Sequence, residues 1–186
     1  MGTQFIRFDE FEDVITSVEL IALTAPLAKA SPSYWKWIIV GAQNGLQGAM
    51  VCLLSGTNGI GVLDKTSAKK VLAWHQDQQG PYPEERLAEF GELLKRCRNR
   101  PTGKSLLLTE PEMRDIEKLH GALRNNFAHF RPKGWSIERA GLPRIVGVAL
   151  NVIEQIMFGD ELSYKLSGNR TRRLRKGLGV ARKALS

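Results

Sequence analysis

An arginine, an asparagine and a histidine stand close together in the segment LHGALRNNFAHFRPKGWSIE, as Arg124, Asn125 and His129. Histidine takes or gives a proton near neutral pH, and a helix C-terminus beside it favours the charged form. Arginine grips a phosphate oxygen with a fixed fork of donors. Asparagine can orient either neighbour. The three side-chain types together supply proton transfer and stabilisation of developing negative charge, which is what displacement at a phosphate needs when no metal takes part.

Helical geometry tests whether these groups can meet. At about 100° per residue, Ile116, Leu119, Leu123, Phe127 and Phe130 converge on one side as a core stripe. Asn125 and His129, four residues apart, stack together roughly 120 to 160° away from that stripe. Gly121, Ala122 and Ala128 share the outward side, and such small residues let a second helix approach closely. Arg124 falls about 140° around a straight helix from His129. Convergence therefore needs a long arginine that wraps round, a distorted last turn before Pro132, or a second subunit.

Other chemistry-bearing residues read more plainly. His120 lies beside the core stripe, one turn before Arg124, and is expected as a packing histidine, with a second acid-base group as the sharper alternative. His75, after Trp74, is expected at the surface. Lys104-Ser105 lacks the glycine spacing and preceding strand of a phosphate loop. No three histidines, cysteines and acids have metal-ligand spacing, so neither a metal nor another cofactor is expected. Trp135 is expected to anchor a turn after Lys133-Gly134, stacking on a base being the sharper option.

The elements that must position the cluster are all helical. Phe8, Phe11, Ile15, Val18, Ala22 and Ala25 recur at spacings of three and four, and Asp9 with Glu12 can cap that first helix. A second helix is expected from Pro32 to Leu54, with Trp35, Ile38, Ile39, Ala42, Leu46, Ala49 and Leu53 inward. Gly41, Gly45 and Gly48 permit close packing on it. Residues 56–83 resemble a long connection with one short helix near Ser67 to His75. A third helix is expected to begin at Pro83, burying Leu87, Phe90, Leu93, Leu94 and Cys97. Thr109-Glu110-Pro111-Glu112 has the form of a capping box for a fourth helix ending near Phe130, because Pro132 disfavours helical geometry at Arg131. A last long helix is expected after Ser136, with Pro143 leaving its start open between a kink and a first turn. No long β-alternation occurs. The pattern predicts an all-α bundle of four or five main helices over residues 1–162 and a basic C-terminal tail over 163–186.

Composition bounds the rest. The chain has 186 residues, enough for a single core without staples, and 42% hydrophobic with 25% charged residues, as in folded domains. Cys52 and Cys97 lack paired spacing and are expected as small buried apolar residues in a reducing, cytosolic compartment. The N-terminal MGTQFIRFDEFED lacks the order of a secretory signal, and Met1-Gly2-Thr3 lacks the residues of a myristoylation signal. The most apolar stretch is interrupted by Gln43, Asn44 and Gln47, so no membrane span is expected. The net charge of +8 is uneven. After Glu161 no acid occurs, whereas Lys165, Arg170, Arg172, Arg173, Arg175, Lys176, Arg182 and Lys183 follow. Arg170, Arg172, Arg173, Arg175, Lys176, Arg182 and Lys183, interleaved with Leu174, Leu178, Val180 and Leu185, are therefore the expected nucleic-acid-binding residues, with an acidic protein partner or a membrane surface as the alternatives.

Arg124-Asn125 followed by His129, read as RNNFAH, resembles the R-x4-6-H motif of the HEPN superfamily, in place near the end of a late helix. The resemblance spans about residues 8 to 160 by helix pattern and motif position. It implies a HEPN-like helical bundle that commonly dimerises and often acts as a metal-independent ribonuclease, with Arg124, Asn125 and His129 as the catalytic residues. It also implies RNA as substrate, 5′-hydroxyl and 2′,3′-cyclic phosphate product ends, and a toxin-like role with an antitoxin or regulatory protein as partner. A non-catalytic module that binds nucleic acid or protein through the basic tail is the alternative, and a purely structural interaction protein is a third.

Overall fold

The computed structural model describes residues 4–101, 103–129, 132 and 134–186. It is an all-α bundle, and among the described residues no strand occurs, only an isolated antiparallel bridge between Leu63 and Leu87. The helices are α1 (Glu10–Thr24), α2 (Trp35–Leu54), α3 (Lys65–Asp77), α4 (Phe90–Arg98), α5 (Glu110–Glu117), α6 (Asn125–Ala128), α7 (Leu142–Met157) and α8 (Gly168–Leu185). A π segment, Lys118–Arg124, joins α5 to α6 without a break. Phe130, Arg131 and Lys133, like Met1-Gly2-Thr3 and Thr102, lie outside the described residues.

Local signals set several boundaries. The Asp9 carboxylate accepts from the Glu12 amide at 2.9 Å and starts α1. Pro32–Tyr34 forms a 3-10 turn that feeds α2. At α5 the capping box is complete, with Thr109 accepting from the Glu112 amide and Glu112 accepting from the Thr109 amide. Helix α7 begins at Leu142 with Pro143 in its first turn, where a missing N–H costs nothing.

Helix α2 is the centre of the bundle, packed on α1, α4, α7 and the π segment. Its Ile38, Ile39, Ala42, Leu46 and Ala49 are fully buried. Close approach of α1 depends on its glycines. A Cβ on Gly41 would lie 3.0 Å from the Ser17 carbonyl oxygen, and one on Gly48 would lie 2.9 Å from Val14 Cγ2. By length and composition Pro32–Leu54 could cross a membrane, but 61% of its most apolar window is buried within the bundle, so that apolarity is accounted for by core packing. Cys52 and Cys97 are free and buried, and burial pushes both thiols up to about 12.

Three expectations need correction. Residues 83–89 are extended, and α4 starts only at Phe90. The reason is tertiary pairing: Asp64 N–H donates to the Arg86 carbonyl, Ala88 N–H to the Val62 carbonyl, and Arg86 N–H to Ser67 Oγ. Those bonds replace the intrahelical ones, and Leu87 is left exposed. Phe8 is also exposed, because it precedes the Asp9 cap and lies outside α1, while Val14 and Ile21 are fully buried, because α1 is flanked by both α2 and α8 and buries a wider face than one stripe. Residues 168–185, expected in a tail outside the bundle, form α8, which lies along α1 with Leu174, Leu178 and Ala181 in the core. A Cβ on Gly177 would come within 2.9 Å of Val18 Cγ1, so the two helices nearly touch.

Candidate functional site

The π segment and the short helix after it place the three residues singled out by type and spacing. A π turn closes i to i+5 hydrogen bonds, so side chains within it lose the regular α spacing. His129 then leaves the helix altogether, with φ −116° and ψ 59°. The departure of His129, with the reach of the arginine, brings Arg124 Nη1 to 3.5 Å from His129 Nε2 within one chain. Of the routes to convergence open from the helical wheel, the wrapped side chain and the distorted turn both operate. A partner is not needed to bring these two side chains together.

Asn125 ties the arrangement to the backbone. Its Oδ1 accepts from Arg124 Nη1 at 3.0 Å, and its Nδ2 donates to the Gly121 carbonyl at 3.2 Å. The amide therefore holds the guanidinium on one side and satisfies a π-segment carbonyl on the other. Arginine can only donate, so a hydrogen bond to His129 Nε2 forms only with the tautomer that carries a lone pair on that nitrogen. At 3.5 Å the contact is long, and a phosphate oxygen can compete for the same Nη1 donor. Arg124 and Asn125 are half-buried, whereas His129 is exposed. Gly121, Ala122 and Ala128 are exposed beside it, and nothing lies within 4 Å of a Cβ built on Gly121.

Behind the cluster the helix is fixed to the core. Asp115 is buried and pairs with Arg144 of α7. Leu119 and Leu123 of the π segment are buried in the core, next to α2 and α7. Trp135 meets Phe127 edge-on with ring centroids 4.8 Å apart, which gives the chain after His129 an aromatic anchor.

His120 was expected mainly as a packing residue, and its surroundings are more specific than that. Its ring stacks on Phe90, with centroids 4.2 Å apart and planes 10° apart. Gln43 of α2 approaches at 3.0 Å, Nε2 to His120 Nδ1. With the amide in this orientation Gln43 donates, so the neutral ring carries its proton on Nε2. Burial first, and then the Arg124 guanidinium, lower the His120 pKa, with Glu89 opposing. A buried glutamine on an apolar helix was the signal available in the sequence for this pair, since Gln43 interrupts the stretch that packs the core.

The depressed pKa fixes a pH dependence. The folded chain resists protonating His120, while the unfolded chain binds that proton at the usual value of about 6.5. The unfolded state therefore holds more protons below that value, and stability falls as pH drops through it. Glu19 and Glu161, held below the usual carboxylate range by Arg173 and Arg100, contribute stability that is lost only at lower pH. Thermal melts from pH 7.5 to 5 are expected to decline less steeply for His120→Gln than for the parent chain. Equal slopes would remove His120 as the cause.

The basic residues of α8 are not equivalent. Arg170 pairs with Asp9 and Glu12, Arg173 with Glu12 and Glu19, and Arg182 with Glu154. Arg175 lies over the Phe158 ring at 4.5 Å. Arg172, Lys176 and Lys183 are exposed, and among the described residues Arg172 bonds only Asn169 on its own helix. Helical geometry puts Lys176 about 40° and Lys183 about 20° from Arg172, so these three form one outward stripe. His75 is exposed on α3 beside Trp74 and Tyr82. Among the described residues no three histidines, cysteines and acids come together as a metal site. No protein-family model, curated protein or solved structure matches this chain.

Proposed function

We propose that the chain is a HEPN-type, metal-independent endoribonuclease whose catalytic groups are Arg124 and His129, positioned by Asn125. The observation that carries this reading is the approach of Arg124 Nη1 to His129 Nε2, with the guanidinium held by the Asn125 amide on an exposed helix end. In the proposed reaction His129 takes the proton of a ribose 2′-hydroxyl, and the oxygen attacks the adjacent phosphorus. Arg124 stabilises the charge that gathers on the non-bridging oxygens. The bond to the 5′-oxygen breaks and that oxygen is protonated, leaving a 2′,3′-cyclic phosphate and a 5′-hydroxyl.

Two copies meeting across Gly121, Ala122 and Ala128 would set two such clusters in one cleft, and a second imidazole would be at hand for the leaving oxygen. Sedimentation at several concentrations reads the dimer directly. Cleavage is tested on several structured and unstructured RNAs in the presence of a chelator. The expected products carry cyclic phosphate ends. Products with 3′-hydroxyl and 5′-phosphate ends, or intact RNA throughout, contradict the proposal.

A second reading is supported by the outward stripe of Arg172, Lys176 and Lys183, which suits the binding of a nucleic-acid backbone without catalysis. Reversing the three charges together should weaken RNA binding and reduce the salt slope by about 3 if each contacts a phosphate. An unchanged slope removes α8 as the binding face.

A further inference from the structure

A cleft of about 220 Å³ lies between α4 and the helix formed by α5 and the π segment. Phe90, Leu94 and Met113 give it apolar walls, and His120 extends the aromatic surface by its stack on Phe90. Lys95 and Arg98 line it from α4, and Glu117 lines it from α5. Both cations are exposed, and among the described residues neither enters an ion pair, although Arg96 between them and Arg100 just beyond do. Arg124, the first member of the candidate catalytic cluster, follows His120 by about one helical turn and is near enough to depress its pKa.

Two features of His120 exceed what packing requires. The ring is half-buried and holds one face on Phe90, while Nδ1 is committed to Gln43. Gln43 is only 1% exposed, and its Oε1 has no partner. Turning the amide over would let Oε1 accept from Nδ1–H and leave Nε2 unpaired instead, so one amide atom stays unsatisfied in either orientation. An orphaned buried amide costs stability, and it stands behind the histidine in the wall of the cleft.

We propose that this cleft is the nucleobase subsite of the same RNA, taking one base against Met113, Leu94 and the Phe90–His120 stack while Lys95 and Arg98 contact a neighbouring phosphate. The proposal rests on the placement of the scissile phosphate at Arg124 and His129. Apolar and aromatic walls accept the flat face of a base, and flanking free cations match the charge of the strand on either side of it. Glu117 and the His120 Nε2–H supply an acceptor and a donor for a base edge. Single-stranded RNA is the occupant this chemistry fits, since a base inside a duplex presents no free face.

The test uses the full chain labelled at its methionine methyl groups and histidine rings. The probes are a 2′-O-methyl tetranucleotide, the same tetranucleotide with each base in turn replaced by an abasic residue, and inorganic phosphate. Met50 and Met157 are fully buried and serve as internal controls. The tetranucleotide is expected to shift both the Met113 methyl and the His129 ring. One abasic position should keep the His129 shift, lose the Met113 shift and bind roughly 5- to 150-fold more weakly. Phosphate alone should move His129 and leave Met113 in place. Lys95→Glu with Arg98→Glu should weaken the tetranucleotide tenfold or more and lower the melting temperature by only a few degrees, the change setting acids in the last turn of α4. If His129 responds and Met113 does not, the cleft is not a base subsite and the nuclease reading stands. If Met113 responds and His129 does not, or neither responds, the link between cleft and catalytic cluster is overturned together with the phosphate placement.

Discussion

His129→Ala is expected to slow RNA cleavage by about 10²- to 10⁴-fold, the range for removal of a positioned general acid or base. The side chain is exposed and belongs to no core contact, so folding stability should stay within about 0.5 kcal/mol of the parent. Arg124→Ala is expected to cost about 10²- to 10³-fold, as for loss of a donor that stabilises transition-state charge. Arg124→Lys should restore little, because an ammonium cannot reproduce the fork that reaches Asn125 and His129 together. Single-turnover cleavage of one RNA by the three variants reads the effect. Rates equal to the parent in His129→Ala would remove the histidine from the chemistry.

That cluster was only half legible in the sequence. Residue type and spacing identify Arg124, Asn125 and His129, and a helical wheel puts two of them on one outward side. A wheel assumes constant rotation per residue, and the π segment Lys118–Arg124 breaks that assumption. Nothing in KLHGALR marks a π turn by propensity. The Asn125 bond to the Gly121 carbonyl reaches back into that segment, whereas the 3.5 Å approach of Arg124 to His129 comes from the reach of the arginine and the departure of His129 from the helix. The role of His120 was hidden for another reason. Its partners Gln43 and Phe90 come from α2 and α4, far away in the chain, and only tertiary packing joins them.

Leu174→Ala is expected to be among the most destabilising single changes outside the site, at about 2–5 kcal/mol. The side chain is fully buried in α8, between the Arg173 pairing with Glu12 and Glu19 and the Gly177 contact with Val18. The cavity cannot collapse easily, because α8 already sits within van der Waals distance of α1 at Gly177. For a chain of this size each kcal/mol corresponds to roughly 2–4 °C in Tm. Calorimetry or a thermal melt measures it, and a change under about 1 kcal/mol would mean that α8 is not part of the cooperative unit. Removing residues 167–186 entirely should unfold much of the bundle, since it strips Leu174, Leu178 and Ala181 from the core. Charge reversal at Arg172, Lys176 and Lys183 is therefore the cleaner probe of nucleic-acid binding.

The fold itself was legible where local signals decide. The Asp9 cap, the Thr109–Glu112 capping box and the apolar period of α2 all act within a few residues, and each element appears where those signals put it. It was illegible where distant partners decide. Pro83 to Glu89 has helix-forming composition, yet its backbone bonds go to Val62, Asp64 and Ser67. The sequence GNRTRRLRKGLGVARKAL resembles a solvated basic tail until α1 and its cap residue supply Glu12, Glu19 and Asp9 opposite Arg170 and Arg173. Its leucines and small residues at helical spacing were the signal that it could pack.

The measurement that bears most directly on the central claim is the crystal structure of the His129→Asn variant with a short bound oligoribonucleotide. The account predicts one phosphate within hydrogen-bond distance of Arg124 Nη1, with the adjoining 2′-hydroxyl facing position 129. RNA lying only along Arg172, Lys176 and Lys183 of α8, with Arg124 still turned to Asn125 and no phosphate beside it, would contradict it.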